Sequence, residues 1–184
     1  MLEFRWHGRG GQGVWTGSNL LALAAMREGK YIQSFPEFGP ERSGAPVKAF
    51  TRISSRPITI HCHVYNPDYI VILDPTLLET QNLAEGLKPG GKIIVNHTSP
   101  DKLKQIFSGV EAEIWWLPAT DLAVKTLGRG ITNTAMLGAT IKIAPEAAKL
   151  ESVIETVRGR FKGEAGEKNV ELVEKAYKEV KRVE

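Results

Sequence analysis

The chain has 184 residues, a formal net charge of +3, and 42% hydrophobic and 24% charged residues, enough for one α/β domain with a full core. Its single cysteine, Cys62, excludes an internal disulfide and any cluster or zinc site built from its own thiolates alone. No apolar run is long enough for a membrane span, and the mild charge, with C-terminal lysines largely alternating with glutamates, does not indicate nucleic acid. A cytoplasmic protein is expected, and the Lys/Glu content suits a thermophile.

Leu2, Phe4 and Trp6 are apolar at every second position, the period of a strand with one buried face. Gly8, Gly10, Gly11 and Gly13 then break regular structure, and an alanine- and leucine-rich run from Val14 to Met26 reads as a helix. Strand, glycine turn and helix form the arrangement that aims free N–H groups and the positive end of a helix dipole at an anion. Gly8, Gly10 and Gly13 fit G-x-G-x-x-G, the spacing of a dinucleotide-binding turn.

A second strand is predicted at 31–35. A dinucleotide site wants an acidic residue at its end to hold the ribose hydroxyl, and Ser34-Phe35-Pro36 stands there instead. An NAD or FAD site is therefore disfavoured. The phosphate loop of nucleotide triphosphatases is excluded, because Val14-Trp15 occupies the place of its Lys-Ser/Thr. Residues 36–44 carry two prolines, two glycines, two glutamates and Arg42, a composition equally suited to an ordered functional loop and to a surface connection.

Residues 47–53 and 58–64 read as a hairpin, implying a mixed sheet. His61 and His63 would share one face of its second strand, but two ligands without a third partner make no metal site. The run 67–74 reads as the clearest buried strand, apolar enough for a parallel sheet covered on both faces. Asp74-Pro75-Thr76 starts a helix to about Glu85; Asp74, at the carboxyl end of a central strand, is placed to touch a ligand, but its role as the cap alone explains it and is favoured. A strand at 92–96, a helix at 99–108 and a last strand at 113–118 follow. Helices are expected at 119–127, 132–143, 145–161 and from about 170, the last with an apolar stripe of Val170, Val173, Ala176, Tyr177 and Val180. The expected fold is α/β: a Rossmann-like three-layer arrangement with a mixed, mostly parallel sheet. It forms a single domain over 1–184, with a sheet core in about 1–118 and a helical part in about 119–184.

No catalytic set emerges: no nucleophile elbow, no persuasive carboxylate pair, and no thiamine diphosphate or iron–sulfur motif. The glycine turn is the one feature with chemistry to offer. Gly10 and Gly11 let backbone approach a ligand, and Arg9 inside the turn can contact phosphate. Arg42 and Lys48 add positive charge if the 36–44 loop folds back towards it.

Gly8-Arg9-Gly10-Gly11-Gln12-Gly13 is followed by Pro36-Glu37-Phe38-Gly39-Pro40-Glu41-Arg42-Ser43-Gly44, by Pro67-Asp68 before the apolar strand, and by Asn133 with Leu137-Gly138-Ala139. In this order and spacing the chain resembles the gamma subunits of 2-oxoacid:ferredoxin oxidoreductases, nearly end to end, and most of all those of the pyruvate and 2-oxoisovalerate enzymes. The resemblance implies a subunit of a complex that converts a 2-oxoacid and coenzyme A to acyl-CoA and carbon dioxide while reducing ferredoxin. It implies alpha, beta and delta partner subunits that carry the thiamine diphosphate and iron–sulfur clusters, and an isolated chain without activity. It further implies that Gly8, Arg9, Gly10, Gly11, Gln12 and Gly13, with Arg42 and Lys48, face the phosphates of coenzyme A. The loop from Glu37 to Gly44 would line the same site or dock against the thiamine-binding subunits. The competing expectation is a stand-alone Rossmann-like nucleotide-binding or regulatory module.

Overall fold

The computed structural model describes residues 1–37 and 44–184. Strand β1 (Leu2–Arg9) sends Phe4 and Trp6 into the main core, both fully buried, and Arg5 and His7 to the opposite sheet face. Helix α1 (Val14–Arg27) follows the glycine turn. It stops at Gly29, whose φ of 78° lets the Gly29 and Lys30 amides fold back onto the carbonyls of Met26 and Ala25.

Then come β2 (Tyr31–Glu37), β3 (Pro46–Ser54), β4 (Tyr69–Ile72), a 3₁₀ turn at Pro75–Glu79, β5 (Lys92–Asn96), α2 (Pro100–Ile106) and β6 (Glu113–Leu117). The chain closes with α3 (Ala119–Leu127), α4 (Asn133–Ile143), α5 (Leu150–Arg160), α6 (Glu164–Glu179) and the two-residue β7 (Lys181–Arg182). The strands form one sheet in the order β2-β3-β1-β4-β5-β6-β7. Its centre, β1-β4-β5-β6, is parallel; β3 runs antiparallel to both β1 and β2, and β7 antiparallel to β6.

Alternation along the parallel strands divides the core. Val71 and Ile94 join the large cluster under the helices, where Leu20 and Leu21 of α1 meet Met136, Val153 and Val173. Ile70, Ile72, Ile93 and Val95 face the other way, beneath Leu77, Leu83, Leu103 and Phe107. Helix α4 lies against α6 so closely that a Cβ on Gly138 would collide with the Val173 carbonyl oxygen.

Two expectations are corrected. Residues 58–64 form no strand, and the hairpin is made by β2 and β3 instead, in a register from Tyr31↔Ser54 to Glu37↔Lys48. Both edges of β3 are occupied, by β1 and β2, so 58–64 cannot pair with it. It is tied to the sheet face turned away from α1. Buried Arg52 donates to the Cys62 and His63 carbonyls (2.8 and 3.1 Å), and the Gln33 side chain donates to the Ile60 carbonyl (2.8 Å). The helix expected from Asp74 to Glu85 is only the 3₁₀ turn at Pro75–Glu79. Asp74 caps it as expected, its carboxylate accepting from the Thr76 amide at 2.9 Å.

Candidate functional site

The glycine turn sits at the carboxyl end of β1, beside that of the parallel strand β4. Gly8 must be small because a Cβ there would lie 2.6 Å from the Val14 side chain and 2.9 Å from Gln12 Oε1. Gly11 (φ 94°) and Gly13 (φ 74°) take left-handed conformations that L side chains resist. A Cβ on Gly13 would also lie 2.5 Å from the amide nitrogen of the Asn133 side chain, at the start of α4, whereas one on Gly11 would enter open space.

Gln12 fastens the turn from behind. Its Oε1 accepts from the Arg9 amide (2.8 Å) and its Nε2 donates to Asp74 Oδ2 (2.6 Å). The Arg9 guanidinium donates to Thr76 Oγ1 (3.0 and 3.2 Å) and to the Gly44 carbonyl (3.2 Å), and lies 3.5 Å from Asp74. Burial alone would raise the Asp74 pKa. Hydrogen bonds from the Thr76 hydroxyl, Gln12 and the Thr76 amide, with the Arg9 charge, outweigh it and hold the carboxylate below its usual range.

The Gly10 amide is committed to the Ala45 carbonyl (2.9 Å) and that of Gln12 to the Arg9 carbonyl (3.1 Å). The amides of Gly11, Gly13, Val14, Trp15 and Thr16 meet no acceptor among the described residues, and no side chain caps α1. They adjoin a cavity of about 300 Å³ lined by Arg9, Gly10, Gly11, Gly13, Lys48 and Trp15, among others. Five of the eight sequence-nominated residues thus come together. Gly8 and Gln12 are not in the cavity wall and serve the turn's own geometry, and Arg42 lies outside the described residues.

The sequence reading did not assign Trp15, Thr76 or Asn133 to this site, and for Asp74 it favoured a cap over ligand contact. Asp74 and Asn133 carried signals, the one at the end of a central strand and the other within the motifs of the resemblance, and Trp15 is a large aromatic residue off the buried stripe of its helix. Among the described residues no group of three or more His, Cys, Asp or Glu is placed to hold a metal ion. The His63 ring instead stacks on Phe50, with centroids 5.3 Å apart.

On the opposite sheet face a polar cavity of about 410 Å³ is lined by Arg5, Glu37, Lys48, His63, Tyr65 and Glu85, among others. Beside Arg5, His7 is 3% exposed and its Nε2 accepts from Arg5 Nε at 3.0 Å. Burial, then the charges of Arg5 and Lys48, push the His7 pKa down to about 3, so the ring is neutral at physiological pH.

Fold and turn define a Rossmann-like α/β chain whose helix end is open to an anion and whose described residues offer no metal-binding cluster. Residues 3–179 match the family model described as pyruvate ferredoxin/flavodoxin oxidoreductase. The chain is 49% identical to the pyruvate/ketoisovalerate oxidoreductases common subunit gamma of Thermococcus kodakarensis, covering 96% of each chain. It is 44% identical to the pyruvate synthase subunit PorC of Methanocaldococcus jannaschii, covering 98% of this chain and 97% of the relative. The pyruvate oxidoreductase subunit PORC of Thermotoga maritima superposes with a TM-score of 0.88 at 37% identity, over 100% of this chain and 98% of the other. The fold also recurs at a TM-score of 0.75 and 20% identity in a 2-oxoglutarate:ferredoxin oxidoreductase of Magnetococcus marinus, solved with 2-oxoglutarate, coenzyme A and succinyl-CoA bound. There it matches 95% of this chain and 30% of that one. The chain belongs to the pyruvate ferredoxin/flavodoxin oxidoreductase family, as a gamma subunit of the pyruvate/2-oxoacid:ferredoxin oxidoreductases.

Proposed function

We propose that this subunit holds the phosphates of coenzyme A against the turn Gly11–Thr16, with Lys48 and Arg9 as the cationic wall of the cavity. The observation that carries this reading is the group of amides left without acceptors at the start of α1, beside a cavity that includes Lys48. Such a helix end favours negative charge, by about 0.3–1 kcal/mol per charge near the surface. Arg9 contributes mainly its charge, because its donors already serve Thr76 and Gly44.

The chain works with alpha, beta and delta subunits that carry thiamine diphosphate and iron–sulfur clusters and pass electrons to ferredoxin. The isolated chain has no oxidoreductase activity. Residues 1–184 act as one domain, a reading supported by β7 returning to pair with β6. No helix among the described residues is long and apolar enough to cross a membrane.

The test uses the assembled complex. Lys48→Ala and Gly11→Val raise the KM for coenzyme A about tenfold while the KM for the 2-oxoacid stays within twofold, with unfolding midpoints recorded alongside. Equal changes in both constants would refute the assignment. Lys48 is suited to this because its contact with Glu37 is long (3.8 Å) and its side chain is 43% exposed, so its loss costs little stability.

A further inference from the structure

Helix α1 buries Val14, Gly17, Ser18, Leu20, Leu21, Ala22, Ala24 and Ala25, a complete stripe that does not include Trp15. Trp15 is 48% exposed, so core packing gives no reason for the largest apolar side chain at this position. It stands in the first turn of α1, within the cavity whose wall includes Arg9 and Lys48, and Pro36 and Val47 add further apolar surface there. A space of about 300 Å³ is at the lower end for small-molecule sites and holds one end of a molecule the size of coenzyme A rather than the whole. Exposed indole, cationic groups and uncommitted amides in one cavity match a base attached to phosphates. The amides and cations take the anion, and the indole offers a stacking face.

We propose that Trp15 stacks on the adenine ring of coenzyme A, so that the adenosine 3′,5′-bisphosphate end of the molecule, and not its pantetheine arm, is held in this cavity. This rests on the coenzyme A reading above and deepens it: Trp15 sets which end of the ligand binds here. Stacking on an aromatic side chain is sequence-tolerant among bases, so the indole selects for a ring, while the charged wall and amides select for its phosphates.

The experiment is steady-state inhibition of the assembled complex, with adenosine 3′,5′-bisphosphate and pantetheine as separate competitors of coenzyme A. Trp15→Ala raises the inhibition constant of adenosine 3′,5′-bisphosphate and the KM for coenzyme A by the same factor, about tenfold or more. The inhibition constant of pantetheine and the KM for the 2-oxoacid do not move. Trp15→Phe keeps the bisphosphate constant within about threefold, because a phenyl ring still presents a face.

The inference is overturned if Trp15→Ala leaves the bisphosphate constant within twofold, or if it moves the pantetheine constant equally. It is also overturned if Trp15→Ala loosens subunit assembly in size-exclusion chromatography without changing the KM for coenzyme A, which would make the indole a partner contact. If the Trp15 prediction fails while Lys48→Ala and Gly11→Val still raise the KM for coenzyme A, the underlying reading stands and the stacking role falls. If Lys48→Ala and Gly11→Val have no such effect, both fall.

Discussion

Gly11 and Gly13 both have a positive φ (94° and 74°) and differ in surroundings, which lets strain and collision be measured apart. Alanine at either position must adopt a positive φ, which costs an L residue roughly 1–2 kcal/mol, partly offset by about 0.4–1 kcal/mol from the stiffer unfolded chain. At Gly11 the added methyl meets nothing within 4 Å, so Gly11→Ala is expected to lose about 1 kcal/mol or less. At Gly13 it lies 2.5, 3.1 and 3.4 Å from Nδ2, Cγ and Cβ of Asn133, whose side chain is nearly buried. Overpacking of this kind adds about 1–3 kcal/mol, so Gly13→Ala is expected to lose about 2–4 kcal/mol. Urea unfolding of the full chain, followed by far-ultraviolet circular dichroism, gives both values. Asn133→Ala closes a double-mutant cycle with Gly13→Ala: removing the side chain that the added methyl strikes should return about 1–3 kcal/mol as coupling. Equal losses at the two glycines, or a cycle that is additive within about 0.5 kcal/mol, would refute the claim that α4 fixes the shape of the turn through Asn133.

Two further expectations concern the far face of the sheet. His7 titrates near 6.5 when unfolded and near 3 when folded, so its stabilising contribution is whole above pH 6.5 and is lost as the pH falls towards 3. Between pH 7 and pH 5 this removes about 2 kcal/mol, and His7→Gln should flatten that part of the stability–pH curve; an unchanged slope would refute it. Arg52 is 1% exposed and joins Glu3 (2.9 Å), Gln33 (3.0 Å) and the carbonyls of Cys62 and His63. Arg52→Met should cost about 2–4 kcal/mol by leaving the Cys62 and His63 carbonyls and Gln33 Oε1 without their donor, Glu3 keeping Lys88 at 3.3 Å, and should open Tyr65 to chymotrypsin; Arg52→Lys should not restore protection, because an ammonium lacks the fork that reaches all four partners.

The part of the fold most legible in the sequence was the part whose signals are local. Phe4 and Trp6 alternate because one face of β1 is covered, and three of the four glycines that follow have individual reasons: collision at Gly8, collision and φ at Gly13, and φ at Gly11. What could not be read was set by competition for edges and by side chains that reach across the fold. Ile58, Ile60 and Val64 have strand composition, but β3 was already paired on both sides. The two residues of β7 carry no period at all. Within the site, Gln12 reads as a ligand contact because it stands inside the motif. Its amide is instead the clasp between the Arg9 backbone and Asp74, a role fixed by a residue 62 positions away.

The same topology explains why a turn with dinucleotide spacing need not bind a dinucleotide. In the Rossmann arrangement the second strand lies directly beside the first, and an acid at its end reaches the ribose. Here β3 is inserted between β1 and β2, which moves the end of β2 one further strand from the turn, about 4.8 Å in the plane of the sheet. Glu37, the acid that does stand at the end of β2, lies opposite Lys48 in the β2–β3 register and lines the cavity on the far face. It does not line the cavity at the glycine turn. Lys48, opposite Glu37, lines both cavities, with its ammonium 3.8 Å from the Glu37 carboxylate. The inserted strand thus places a lysine, not an acid, in the strand next to the turn's own. The amides without acceptors at the start of α1 are kept, while the acid that would read a sugar stands farther off.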